Sequence, residues 1–363
     1  MSEKSRITRL VSMPADAPDA AALREAGAIL KNGGLVAFPT ETVYGLGGNA
    51  LDADAARRIY AAKGRPSDNP LIIHIAETDA LEAVAESVPE SARALAEAFW
   101  PGPMTLIVPR GSAVPHATTG GLETVAVRMP SHPVASELIR EAGGFVAAPS
   151  ANASGRPSPT TAQHVLEDLD GRIDMIIDAG PVQIGLESTI IDCTTNPPMI
   201  LRPGYISREM IGKVTGGVGV DPGIIAETAD VRPKAPGMKY RHYAPKAEMN
   251  IVEGSAGPVA EMIRRLAREK MNAGCKVGIL CSEESADAYP EGVVRSVGAA
   301  RDEETIARHL YDTLRAFDAD GVDFIYSEAF HTPRIGPAIM NRLQKAAGYR
   351  VIEACGGGGV END

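Results

Sequence analysis

Short apolar, β-branched runs alternate with helix-forming stretches through nearly the whole chain, and this alternation limits the fold more than any other feature. Residues 20–32 have helical composition and stop at Gly33-Gly34, a glycine signal for a helix C-terminus. The run Gly34-Leu35-Val36-Ala37 then reads as a buried strand, and residues 54–63 as a helix. "PLIIHIA", "MTLIVPR", "TVAVRMP", "FVAAPS", "MIIDAG", "STIIDCT" and "PMILRPG" read as strands. "ALEAVAESV", "SARALAEAFW", "HPVASELIREAGG" and "TTAQHVLEDLDG" read as helices. This α/β rhythm ends near residue 210 and resumes with "EMNIVEG", where strands and helices continue as repeated β-α-β units, the pattern of a small parallel sheet.

Between the two rhythmic regions lies a stretch rich in breakers, with Gly216, Gly217, Gly219, Pro222, Pro233, Pro236, Gly237 and Pro245. A chain of 363 residues exceeds one ordinary core, so the reading is a first domain over residues 1–212, a linker over 213–247 and a second domain over 248–363. No apolar run approaches the roughly 18 residues of a membrane span, and "MSEKSR" lacks the apolar core of a secretory signal, so the expected location is the cytoplasm.

The net charge is −11, with 23 basic against 28 acidic residues in 1–247 and 13 against 19 in 248–363, so neither part is a basic nucleic-acid binder. The exception is "VRPKAPGMKYRHYAPKA", residues 231–247, which carries Arg232, Lys234, Lys239, Arg241 and Lys246 and no acid, and suits a polyanion. Cys193, Cys275, Cys281 and Cys355 form no CxxC pair, and the histidines show no HExxH spacing, so no metal ligands are named.

Six stretches hold polar residues that strand and helix formation leave unexplained. "FPTETVYGLGGNA" follows a strand with hydroxyls and glycines; its Gly45-Leu46-Gly47-Gly48-Asn49-Ala50 fits the dinucleotide fingerprint, but with no ribose-binding acid in a βαβ unit. In "AAKGRPSDNPLIIHIA", Lys63, Gly64 and Pro66 are accounted for by a helix end, whereas Arg65, Asn69 and His74 are not. In "APSANASGRPSPT", Ser150 and Asn152 fall at a strand end. Ser158 precedes the next helix, where free amides favour phosphate. Arg128 ends "TVAVR", and "GLESTIIDC" and "ILRPG" supply Ser188 and Arg202; each is equally compatible with a solvated surface residue.

In order along residues 38–245, "FPTETVYGLG", "AKGRPSDNPL", "APSANASG", "ILRPG" and "APGMKYRHYAP" together resemble the threonylcarbamoyl-AMP synthases, the YrdC-like family, in its longer two-domain form, with no departure in the motifs. The resemblance implies an α/β fold: a YrdC-like mixed twisted sheet with helices, plus a smaller C-terminal Rossmann-like α/β domain. It implies a nucleotidyltransferase that makes L-threonylcarbamoyl-AMP and pyrophosphate from L-threonine, bicarbonate and ATP, for t6A modification of tRNA. Lys63 and Arg65 would be catalytic, neutralising phosphate oxygens. Arg65, Asn69, Thr124, Ser150, Asn152, Ser158, Arg202 and Tyr243 would hold ATP, and Thr42, His74, Arg128 and Ser188 would hold threonine. Mg²⁺ would accompany ATP, no tightly bound organic cofactor is implied, and the product would pass to the tRNA threonylcarbamoyl transferase machinery. The basic linker would close over the nucleotide as a lid. Two other readings are an RNA-binding or ribosome-assembly protein, disfavoured by the acidic balance, and a carbamoyl transferase of the hydrogenase-maturation type, which needs zinc-finger cysteines absent here.

Overall fold

The computed structural model describes residues 7–224, 235 and 242–354. The chain divides into two compact units, Met1–Tyr240 and Arg241–Asp363, so the stretch read as a linker is shared between them.

The first unit contains, in chain order, β1 (Arg9–Ser12), α1 (Ala20–Lys31), β2 (Val36–Phe38), β3 (Gly45–Asn49), α2 (Ala53–Lys63), β4 (Ile72–His74), α3 (Ala80–Val84) and α4 (Glu90–Phe99). It continues with β5 (Met104–Pro109), β6 (Thr124–Arg128), α5 (Pro133–Glu141), β7 (Val146–Ala147), α6 (Ala162–Leu169), β8 (Met175–Asp178), β9 (Thr189–Asp192), β10 (Met199–Arg202), α7 (Arg208–Thr215) and β11 (Gly219–Val220). The strands form one mixed sheet in the order β1-β8-β2-β3-β7-β4-β6-β5-β9-β10-β11. Parallel pairs such as β4 with β6 and β5 with β9 alternate with antiparallel pairs such as β5 with β6 and β9 with β10.

The two faces of this sheet are covered differently. Residues alternate across a strand, and Ala37, Leu46, Ile73, Leu106, Val127, Ile176 and Ile191 face one side, where they join residues of α2, α4 and α6 in the main core. On the other side Val36, Phe38, Val146, Met175 and Ile177 pack under Leu23, Leu30, Leu138 and Ile139 of α1 and α5. That second cluster covers the half of the face from β8 to β7. Further on, the face carries a small apolar patch of Ile72, Ala126, Ile107, Ile190 and Leu201, and the residue seated on it is Ala235, fully buried.

The glycine-rich stretch is a strand, not a phosphate loop. β3 runs antiparallel to β2 and to β7 with its backbone buried. A Cβ on Gly47 would lie 2.9 Å from Val146 Cγ1 and 3.0 Å from Phe38 Cε1, and one on Gly48 would lie 3.0 Å from Ile59 Cδ1. The glycines are there because neighbouring side chains occupy the space.

The second unit is a five-stranded, all-parallel sheet in the order β14-β13-β15-β12-β16. Its elements are β12 (Glu248–Gly254), α8 (Ala256–Asn272), β13 (Val277–Cys281), β14 (Val293–Ser296), α9 (Glu303–Asp320), β15 (Phe324–Glu328), α10 (Gly336–Ala346) and β16 (Val351–Ala354). Val259, Ile263 and Ala267 of α8 pack on Val252, Val277 and Ile279. Among the described residues no helix is long and apolar enough to cross a membrane.

Candidate active site

Register places a polar row on the uncovered half of the sheet face. His74 pairs with Arg128, Arg128 with Thr105, Thr105 with Ile190 and Ile190 with Arg202, so these side chains lie side by side across five strands. The next row, two residues along each strand, runs through the apolar Ile72, Ala126 and Ile107 and then reaches Asp192. His74, Thr105, Arg128, Ser188 and Arg202 are all buried. Burying such groups is costly unless they are hydrogen-bonded, and most of them are.

Arg202 donates from Nη2 to Ser188 Oγ at 3.1 Å and from Nε to Ser188 O at 3.0 Å, and the Ser188 hydroxyl lies 2.7 Å from Thr105 Oγ1. Arg128 donates from Nη1 to Thr42 Oγ1 at 2.9 Å, and its Nη2 lies 2.8 Å from Glu41 Oε1. His74 Nδ1 lies 3.1 Å from Ile72 O, and its ring meets Phe38 edge-on at 6.3 Å between centroids. Burial and, next, the Arg128 charge push the His74 pKa down to about 3, so the imidazole is neutral at physiological pH.

The loop between β2 and β3 brings Thr42 to this row. Thr40 Oγ1 accepts from the amides of Thr42 and Val43 and donates to Val43 O, a local turn that bends the chain back at once. Ile184 N donates to Glu41 O and Gly185 N to Thr42 O, at 2.9 and 3.0 Å, and Tyr44 is bonded through its backbone to Ala151 and Pro159. The loop is therefore clamped between the 150–160 and 184–185 segments.

A second cluster forms where α2 ends. Gly64, at φ 63, terminates α2 as its place after Lys63 predicts. Lys63 is buried and its ammonium donates to Ser150 O, Asn152 O and Asn152 Oδ1. Asn152 Oδ1 also accepts from Ser150 Oγ at 2.5 Å, while its Nδ2 donates to Ala153 O and Arg156 O. Arg65 donates to Asn69 Oδ1 at 2.6 Å and to the carbonyls of Asn69 and Pro70, closing the turn that leads into β4. Ser158 donates to the buried Glu187, the residue before Ser188.

The structure thus joins Thr42, His74, Arg128, Ser188 and Arg202 in one row and Lys63, Ser150 and Asn152 in one knot, with Arg65 and Asn69 in the turn that follows. Thr124 lies on the same face but at the start of β6, about 13 Å along the strand from Arg128. Tyr243 belongs to the second unit, where it adopts φ 62 and stacks on Tyr311 at 5.3 Å, with Arg342 over its ring at 5.8 Å. Arg232, Lys234, Lys239 and Arg241 of the proposed lid lie outside the described residues. Thr105 and Glu41 are polar members of the site that the sequence reading missed. The signal for Thr105 was a lone hydroxyl inside an apolar strand, and for Glu41 a lone acid among hydroxyls.

Residues 28–204 match the model of the family grouping Sua5, YciO and YrdC, described as telomere recombination, and residues 206–348 match the threonylcarbamoyl-AMP synthase C-terminal domain. Threonylcarbamoyl-AMP synthases of Bacillus subtilis and Pyrococcus abyssi are 52% and 50% identical to it over 91% of this chain and 94% and 95% of theirs. The chain belongs to the threonylcarbamoyl-AMP synthase family. Threonylcarbamoyl-AMP synthases of this two-part build have a solved relative in P. abyssi Sua5 complexed with L-threonine. It matches with a TM-score of 0.89 at 48% identity, over 96% of this chain and 99% of that one. The fold of the first unit also recurs in E. coli YciO, at a TM-score of 0.50 and 24% identity over 55% of this chain. Membership of this synthase family makes the chain an enzyme of nucleotidyl transfer, and the expected fold, a mixed α/β sheet followed by a smaller parallel α/β domain, is the one observed.

Proposed function

We propose that the chain condenses L-threonine with bicarbonate to a carbamate and adenylates it with ATP, giving L-threonylcarbamoyl-AMP and pyrophosphate, in the cytoplasm and for t6A modification of tRNA. The observation that carries this reading is the cluster of buried polar side chains His74, Arg128, Thr105, Ser188 and Arg202 beside a small apolar patch on one sheet face. In the adenylation step a carbamate oxygen attacks the α-phosphorus and the bond to pyrophosphate breaks. Such an in-line displacement needs alignment and charge neutralisation rather than a protein nucleophile.

The residues divide the work as follows. Arg128 takes the threonine carboxylate through its planar fork, and Thr42, Ser188 and neutral His74 complete the pocket by hydrogen bonding without adding charge. Arg65 neutralises phosphate oxygens from the turn after α2, with Asn69, Ser158 and Arg202 beside the nucleotide. Lys63 acts partly through the 150–152 loop, whose carbonyls it gathers, setting where Ser150 and Asn152 stand. Mg²⁺ travels with the triphosphate, since it keeps waters and prefers substrate phosphates; among the described residues no group of three or more His, Cys, Asp and Glu side chains converges to hold a metal. The burial of Ala235 on the apolar patch beside the polar row supports a lid role for the linker, which would exclude water from the reactive carbamate and acyl-adenylate. The product then passes to the tRNA threonylcarbamoyl transferase machinery.

The test is pyrophosphate release from ATP and bicarbonate with and without L-threonine. Strict threonine dependence is expected, and no release when bicarbonate is omitted. Threonine-independent release, or salt-sensitive RNA binding with no turnover, would overturn the proposal.

A further inference from the structure

We propose that Glu41 binds the α-ammonium of the substrate amino acid, so that Glu41 and Arg128 together form a receptor for a zwitterion; this rests on the threonine reading above. Glu41 is 5% exposed, and neither of its carboxylate oxygens accepts a hydrogen bond. Arg128 Nη2 stands 2.8 Å from Glu41 Oε1, at an angle that leaves both atoms without a hydrogen bond. The other Arg128 donors are modestly engaged, Nη1 with Thr42 Oγ1 at 2.9 Å and Nε with Gly102 O at 3.4 Å.

A carboxylate offers about four acceptor sites and a guanidinium five donors, so this pair has been taken out of water with most of its capacity unused. Buried ion pairs persist at low cost only when further hydrogen bonds complete them. An α-amino acid carries the missing complement: three N–H donors on the ammonium for Glu41, and carboxylate oxygens for Arg128. Both groups sit on one carbon, so their receptor needs its anion and cation side by side rather than on opposite walls.

The other titratable neighbours fit this balance. His74, beside Arg128, is held neutral by burial. His132, at the start of α5, has a buried Nδ1 without a partner; burial lowers its pKa and the Glu41 charge opposes that drop. With one cation, one anion and neutral imidazoles, the pocket accepts a ligand of zero net charge without leaving a buried charge uncompensated.

The competing role is that Glu41 only orients Arg128, and ligand choice separates the two. The full-length protein is titrated calorimetrically with L-threonine and with 2,3-dihydroxybutanoate of matching configuration, in which a hydroxyl replaces the ammonium. The wild type should prefer threonine. Glu41→Gln, the same shape without charge, should weaken threonine by roughly 10- to 100-fold, the loss of one charge-assisted bond, and leave the hydroxy acid nearly unchanged, so that the preference disappears. Glu41→Asp should retain part of the preference, and decides the matter if the glutamine variant does not fold; unchanged ATP affinity reports an intact site. Equal weakening of both ligands, or threonine binding unaffected in either variant, would overturn the proposal. A wild type that binds neither ligand would remove the threonine reading itself.

Discussion

One face of the large sheet has two halves, side by side in one hydrogen-bonded ladder, that differ in chemistry. From β8 to β7 its residues are Val36, Phe38, Val146, Met175 and Ile177, sealed by α1 and α5. From β4 to β10 its row is His74, Arg128, Thr105, Ile190 and Arg202, with no helix of that cluster above it. The first half stabilises by removing apolar area from water; the second buries polar groups, and among them Arg128 Nη2 is left without a hydrogen bond, as in a site built for a ligand. Stability and chemistry should therefore respond to substitution separately along one face.

The strongest way to break this division is to cut into the covered half. Leu138→Ala, at a fully buried position of α5, should cost about 2–5 kcal/mol of unfolding free energy while the threonine KM stays at its wild-type value. A KM that rises with the lost stability would mean that the halves are mechanically one. A smaller change sharpens the other side: Arg128→Lys keeps the charge and loses the fork, so the threonine requirement should rise by an amount worth about 1.5–3 kcal/mol, with ATP affinity unchanged. Steady-state kinetics in each substrate would show it, and a fall in ATP affinity instead would move Arg128 to the nucleotide.

The smallest effect is read in pH. The unfolded His74 imidazole takes up a proton near its ordinary 6.5, the folded one only near 3. Between these values the unfolded state binds more protons, so stability falls as pH falls through that window and is unaffected above it. The slope from this residue approaches about 1.4 kcal/mol per pH unit. Denaturant titrations at several pH values should show a shallower decline in His74→Gln; equal slopes would mean that His74 is solvated in the folded state.

The covered half was legible in the sequence because period-two apolar strands and amphipathic helices report their own burial. The parallel sheet of the second unit was legible for the same reason. β3 was not, since glycines carry no periodicity and their placement is set by Phe38, Val146 and Ile59 from elsewhere. β1, β11 and β14 are two to four residues long and hold no fully buried side chain, which leaves little apolar signature. In the site, His74 and Arg128 stood out as polar interruptions of apolar strands. Glu41 did not, because an acid amid threonines looks like a solvated turn until the loop is seen to be buried. The partners of Lys63 depend on the 150–152 loop folding back over α2, a long-range event that local sequence does not encode.

The glycine strand carries one further consequence, in the ordering of the chain. Each glycine costs roughly 0.5–1 kcal/mol more backbone entropy on folding than alanine would, and Gly45, Gly47 and Gly48 occupy three positions of a strand held mostly by its neighbours. β3 is thus dear to order, and the loop it terminates, with Glu41 and Thr42, has no helix of its own to fix it. Those two side chains gain and lose their places together with β3. The proposed amino-acid end of the site therefore owes its order to its surroundings, since β3 is held between β2 and β7 and the loop before it is bonded to the 151–159 and 184–185 segments.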